Sequence, residues 1–202
     1  MKKLLYIIAL SLLPITAVQS QTDYNFGGLL ANQAYNLTFD DVTYDPVYVR
    51  LDYPNGDVAS NTGVCTDVVI RAYRKMGIDL QVDVHEDMVD NFSIYPKFWS
   101  NTKADSNIDH RRVPNLMTFF KRFGSTLVIT NNPKDYYPGD IVCWNVGGGR
   151  THIGIVSNYE SNDGLDTPLI VHNIGGGQNL EDFLFKAKII GHYTYGPISH
   201  SN

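Results

Sequence analysis

The sequence predicts an α+β fold, with a helical first half packed on an antiparallel sheet built by the second half. Three observations carry that reading. Apolar residues recur with helical spacing over 64–76 and again over 114–123. After Gly124 the pattern changes to short β-rich runs separated by turn residues. Helices first and strands second is the order of an α+β domain, not of alternating βαβ units.

The chain opens with "MKKLLYIIALSLLPITAVQSQ". Lys2 and Lys3 give a basic start, and the apolar run from Leu4 to Leu13 is short for a membrane span. Val18 and Ser20 are small residues where a signal peptidase needs them. Residues 1–20 are therefore expected to be a signal peptide and residues 21–202 a single domain, periplasmic or secreted. No later run is apolar enough to span a bilayer, so no stable membrane insertion is expected after cleavage. The 202 residues carry a net charge of −5. That acidic balance lacks the electrostatic footprint of a nucleic-acid binder. Residues 21–50 are mixed and polar and read as a lead-in whose structure the sequence does not assign.

In the first helix, Cys65, Val68, Val69, Ala72 and Met76 form one stripe. Arg71, Arg74 and Lys75 sit near its end, where cations suit the helix dipole, and Gly77 is placed to terminate it. Cys65 falls in the first turn. Free N–H groups there stabilise a thiolate, so Cys65 is expected to be acidic, reactive and turned toward the sheet; a buried structural cysteine is the equal alternative on this helix alone. The other cysteine, Cys143, lies mid-strand beside Trp144 and reads as buried and inert. A Cys65–Cys143 disulfide is the alternative in an oxidising compartment.

The second helix starts with Pro114 at its first position and buries Leu116, Phe119, Phe120 and Phe123. Between the helices lies a long region read as irregular, containing "VHEDMVDNFSIYPKFW" and "NIDHRR". The strands follow as "TLVIT", "DIVCW", "HIGIVS", "LIVHN" and "KIIGHYTY".

His152, Gly154 and Val156 share one strand face by the period of two, and Gly154 clears space beside the histidine. If 152–157 and 169–173 form a hairpin, even-numbered positions can share a face; the parity then permits His172 to lie diagonally beside His152 and puts His152 where it can meet Cys65. A thiol, a base and a group that orients the base is the set that activates a cysteine nucleophile. His192 recurs on a further strand, which leaves a three-histidine metal site as a minor alternative. No close metal-ligand spacing supports it, and no metal or cofactor is expected. The glycine triplets at 147–149 and 175–177 lack a following Lys-Ser/Thr and a helix, and read as turns.

Cys at a helix start, then "HIGI" on a strand and a polar residue on the next strand, resembles the NlpC-type peptidases, papain-like cysteine hydrolases of bacterial peptidoglycan. "PGDIV" before the histidine strand and "DYPNGD" before the cysteine are similar to strings of that family. "GVCTDVVIRAYR", "NIDHRRVPN" and "VHNIGGG" resemble a bacterial branch of unassigned function within it. One departure is that Asp67 follows the cysteine, where the peptidases usually carry Asp-Cys-Ser-Gly.

The resemblance implies a papain-like domain with Cys65 as nucleophile, His152 as base and His172 as the orienting residue. Tyr53, Asp67, Arg111 and Arg112 become candidate substrate-binding or oxyanion residues, the arginines for a stem-peptide carboxylate. The expected activity is a cell-envelope thiol hydrolase cleaving amide bonds in peptidoglycan or its peptide fragments. A non-catalytic envelope module that binds glycan or peptide is the alternative.

Overall fold

The structure, a computed structural model, describes residues 16–98, 101–162, 164 and 166–197. Positions 1–15 of the expected signal peptide lie outside the described residues. Positions 16–20 belong to the first helix.

The chain runs α1 (Thr16–Asn36), β1 (Thr43–Tyr44), β2 (Thr62–Gly63), α2 (Cys65–Lys75), α3 (Leu80–Asn91) and α4 (Val113–Phe123). Then come β3 (Ser125–Thr126), β4 (Ile141–Asn145), β5 (Thr151–Glu160), β6 (Pro168–His172), β7 (Asn179–Glu181) and β8 (Lys188–Thr194). β1 and β2 pair in parallel, and the remaining strands form an antiparallel sheet in the order β3-β8-β4-β5-β6-β7. The α+β class is as the sequence predicts.

Both faces of the sheet are covered. Val68, Val69, Leu116 and Phe120 from α2 and α4 pack with Ile141, Cys143, Ile153, Ile155 and Val171. On the reverse face Val142, Trp144, Val156 and Ile170 pack with Tyr136 and Leu184 from the loops. The Trp144 indole N–H donates to the Leu184 carbonyl at 2.9 Å. Two-sided burial explains why "IVCW" and "LIV" are unbroken apolar runs instead of alternating ones. Each such side chain contributes roughly 1.5–3 kcal/mol relative to exposure.

α2 and α4 fall within one residue of the expected spans. Gly77, just beyond α2, has φ +80, the left-handed conformation that glycine adopts freely. Elsewhere the structure departs from the sequence reading. The lead-in is the helix α1, which packs on β5 and α2. Its buried residues are Leu30, Ala31 and Ala34, and one leucine with two small alanines gives little apolar signal. Gly27 lets the helix touch main chain, since a methyl group there would lie 2.6 Å from the Pro138 carbonyl oxygen.

α3 replaces the first part of the expected irregular region. Leu80, Val84 and Met88 are its buried apolar spine, and the Asp79 carboxylate caps it by accepting the Gln81 N–H at 3.1 Å. Acidic residues and a histidine between those positions mask the period. The expected strand 126–130 pairs with β8 only at its start, through Thr126 and the Leu127 N–H, which donates to the His192 carbonyl at 2.8 Å. Val128 and Ile129 then turn outward into solvent. No helix among the described residues is long and apolar enough to cross a membrane.

Gly154 is where β5 and β6 come closest. A methyl group there would meet Ile170 Cγ2 at 2.6 Å and the Val171 carbonyl oxygen at 2.9 Å. Main-chain oxygen cannot swing away, so Gly154→Ala should cost on the order of 1–3 kcal/mol. Urea denaturation measures it; an unchanged midpoint would mean the two strands are not held this tightly.

Candidate active site

Cys65 opens α2 as expected and is free, as is Cys143. It is 7% exposed and packs in the helical-face core with Cys143 and Ile153. The head of the helix is fixed from two sides. Asp67 Oδ2 accepts the Val64 N–H at 2.7 Å. Arg111 grips the same carboxylate twice, Nε to Oδ1 at 2.8 Å and NH2 to Oδ2 at 3.0 Å. The Thr66 hydroxyl donates to the Arg111 carbonyl at 3.2 Å.

The expected acidity of Cys65 is corrected. Burial pushes its thiol up to about 12, and the Asp67 charge adds to that. The N–H groups of Ile153, Thr66 and Cys65 itself face the sulfur and pull the other way, but burial outweighs them. Cys143 is raised as well, by burial and then by Cys65.

The histidine pair forms as the strand parity predicts. His152 Nε2 lies 2.7 Å from His172 Nδ1. Phe183 covers both rings, at centroid distances of 5.4 and 4.6 Å, and Trp144 lies 5.7 Å from His152. Burial first, then His172, depresses His152 to about 3. Burial also lowers His172, while Glu181 opposes it. His172 Nε2 meets Glu181 Oε2 at 3.1 Å, a partner the sequence reading missed. β7 is only three residues long, so its periodicity gives no signal.

His152 does not share the face of Cys65, contrary to the expectation that parity brings them together. Even-numbered positions of β5 point to the Trp144 side, while Ile153 points to the helices. The thiol reaches β5 through the main chain, at the Ile153 N–H, one peptide unit from His152.

The other expected site residues are placed elsewhere. Asp67 and Arg111 are a buried pair closed on each other, not groups open to a substrate. Tyr53 bonds Glu86 at 3.3 Å and stands edge-on to His85, on the α3 side. The tyrosine near the thiol is instead Tyr44, paired with Gly63 in β1–β2. Burial, then Cys65 and Asp67, raise its phenol, and Arg150 draws it back. Burial lowers Arg112, with Asp109 and Asp105 opposing.

"HEDM" and "NIDHRR" supply internal ties. Asp87 takes Arg122 at 2.8 Å and Tyr95 at 2.6 Å, and Asp109 takes His85 at 2.9 Å. His192 is away from the pair, held by Asp140 at 2.7 Å. Among the described residues no group of three His, Cys, Asp or Glu side chains is placed to hold a metal ion. A cleft of about 790 Å³ opens at the other end of the sheet, lined by Phe26, Phe123, Tyr137, Asn158 and Tyr195, away from Cys65 and the histidine pair.

Fold and site together define an α+β protein with a thiol at a helix head and, on the adjoining strands, a buried His–His pair tied to the half-exposed carboxylate of Glu181. Residues 31–195 match the family described as a domain of unknown function (DUF1287), and the chain belongs to that family. It is 50% identical over 182 residues to the uncharacterized protein YijF of Escherichia coli (strain K12), covering 90% of this chain and 87% of that protein. No solved structure matches. The family match overturns the NlpC-type assignment, because DUF1287 is a distinct family without an assigned function. Strings as short as "HIGI" and "PGDIV" describe a tight strand beside a glycine, and many unrelated sheets use them.

Two outcomes test the electrostatics. Arg111→Ala leaves Asp67 buried without its counter-charge and should cost about 3–5 kcal/mol of stability. A loss below about 1 kcal/mol, read from urea denaturation, would mean that Asp67 is not dependent on the pair. His152 and His110 are both depressed by burial from 6.5 to about 3. The unfolded chain protonates these rings below about 6.5, whereas the folded chain does not until about 3. Stability from them is therefore full above that window and falls as pH drops through it, by up to ~1.4 kcal/mol per pH unit for each ring. Denaturation midpoints between pH 7 and pH 4 read this; a flat profile would show both rings to be solvated.

Proposed function

We propose that the protein is a cell-envelope thiol hydrolase that cleaves an amide bond, with peptidoglycan stem peptides as the substrate. The observation that carries the reading is the 2.7 Å His152–His172 bond one peptide unit from the main chain that touches Cys65. Envelope location rests on the basic, apolar leader, and stem peptides are amide substrates found there. The arrangement is papain-like in layout, a thiol at a helix head and a histidine at the start of the strand whose main chain the thiol touches. That describes the site's plan and not its family.

In this scheme the start of β5 shifts when substrate binds, so that the His152 ring, which rests on the Trp144 face, meets Cys65; Sγ then attacks the amide carbonyl carbon while His152 Nδ1 takes the thiol proton. His172 holds the imidazole. N–H groups at the head of α2, already turned to the sulfur, face the oxygen as it gains charge. The proton passes to the leaving amine, and water, deprotonated by His152, then releases the acyl group from sulfur. Burial keeps both partners neutral at rest, with Cys65 pushed up to about 12 and His152 down to about 3. Proton transfer is therefore coupled to attack, and no thiolate–imidazolium pair is preformed. Catalytic contacts that are open without substrate commonly close when it binds.

A second reading, a non-catalytic module that binds glycan or peptide, is favoured by the burial of the thiol itself. Digestion of purified peptidoglycan with mass analysis of the fragments separates the two. Turnover should vanish in Cys65→Ala and His152→Ala, with circular dichroism confirming the fold. His172→Asn should retain more kcat/KM than His172→Ala, by about 1–2 kcal/mol, the contribution of one hydrogen bond to a charged group. Retained wall binding without fragment release would establish the module instead.

A further inference from the structure

An ionised carboxylate only accepts hydrogen bonds. Glu181 Oε2 faces His172 Nε2 at 3.1 Å, so that nitrogen carries a proton. Burial disfavours a second proton on His172, which leaves its Nδ1 bare. His152 Nε2, 2.7 Å away, must then be the donor. A neutral imidazole has one N–H, so His152 Nδ1 is left as a free lone pair. That nitrogen has no hydrogen-bond partner among the described residues.

One added proton reverses the whole chain. An imidazolium at His172 would donate from Nδ1 to His152 Nε2. His152 would then keep its own proton on Nδ1, the position that must accept from the thiol. The groups that act on His172 are few. His152 approaches from β5, Glu181 from β7, Phe183 from the loop beyond, and Asn179 pairs across the strands. Glu181 is the charged one, and its side chain is 44% exposed on the sheet's outermost strand. A surface carboxylate thus reaches a buried base through one intervening ring.

We propose that Glu181 is a positioning residue that sets the direction of the His172–His152 hydrogen bonds and so leaves His152 Nδ1 as the proton acceptor. The proposal rests on His152 being the base of the thiol hydrolase, yet its primary readout needs no substrate.

The experiment is nitrogen-15 NMR of the imidazoles in the full chain, in wild type, Glu181→Gln and Glu181→Ala. Near neutral pH, both wild-type rings should be neutral with the proton on Nε2. Glu181→Gln keeps an oxygen acceptor and should keep that tautomer. It removes the charge that favours a second proton on His172, so His172 should charge at lower pH than in wild type. Glu181→Ala has no acceptor, and His172 should become a tautomer mixture.

In turnover, Glu181→Ala should lower kcat/KM by roughly tenfold, the effect of one lost hydrogen bond. The acid limb of Glu181→Gln should lie below that of wild type. A wild-type His152 protonated on Nδ1, or a Glu181→Ala protein with both tautomers unchanged, would overturn the proposal. If Glu181→Ala does not fold, an unmoved His172 titration in Glu181→Gln overturns it equally. Correct tautomers without any turnover would leave the hydrogen-bond chain standing and remove the hydrolase reading.

Discussion

The buried pair between Asp67 and Arg111 is the interaction on which the site depends. Asp67 holds the Val64 N–H just before the helix and the Arg111 guanidinium beneath it. The first contact starts α2 at Cys65; the second ties that start to the turn at Asp109–Arg111. Without its partner either charge would sit in low dielectric uncompensated, which costs far more than the pair itself contributes. The position of the thiol against β5 is thus secured by electrostatics that take no part in any reaction.

Burial then opposes reactivity. The large sheet is covered on both sides, so Ile153 beside the thiol lies in one core and Trp144 behind it in the other. Three N–H groups favour a thiolate at Cys65, yet desolvation outweighs them. The same desolvation keeps His152 a neutral ring. A site of this kind is quiet until something enters it, and what enters must supply the polarity that the closed fold withholds.

The elements with strong single-face periodicity were legible in the sequence: α2, α4 and the strands around Cys143, His152 and His172. The diagonal His152–His172 contact followed from strand parity and Gly154. Legibility failed where the packing surface is small or polar. α1 buries alanines and approaches main chain through Gly27, which no hydrophobic count detects. α3 hides three apolar residues among carboxylates. Glu181 stands on a strand too short to show a period, and Tyr44 reaches the thiol through a two-residue parallel pairing. Asp67 and Arg111 were visible as charges, but their closure on each other depends on a tertiary contact between segments far apart in the chain. Parity alone was expected to let His152 meet the thiol, and the structure sets the two on different faces of the sheet. Parity described the side chains of β5 and not the main-chain N–H through which Cys65 meets it.

The close crossing of Gly27 and Gly139 has a kinetic side. A methyl group on Gly139 would lie 2.3 Å from the Gly27 carbonyl oxygen, so two main-chain segments far apart in the sequence touch directly. α1 also packs on β5, in the second half of the chain. Contacts between such distant segments form slowly, because the intervening loop must first be closed. During synthesis α1 emerges early and can meet α2, but its contacts with β5 and Gly139 wait until the β4–β5 hairpin exists. The first helix made is therefore among the last to complete its contacts.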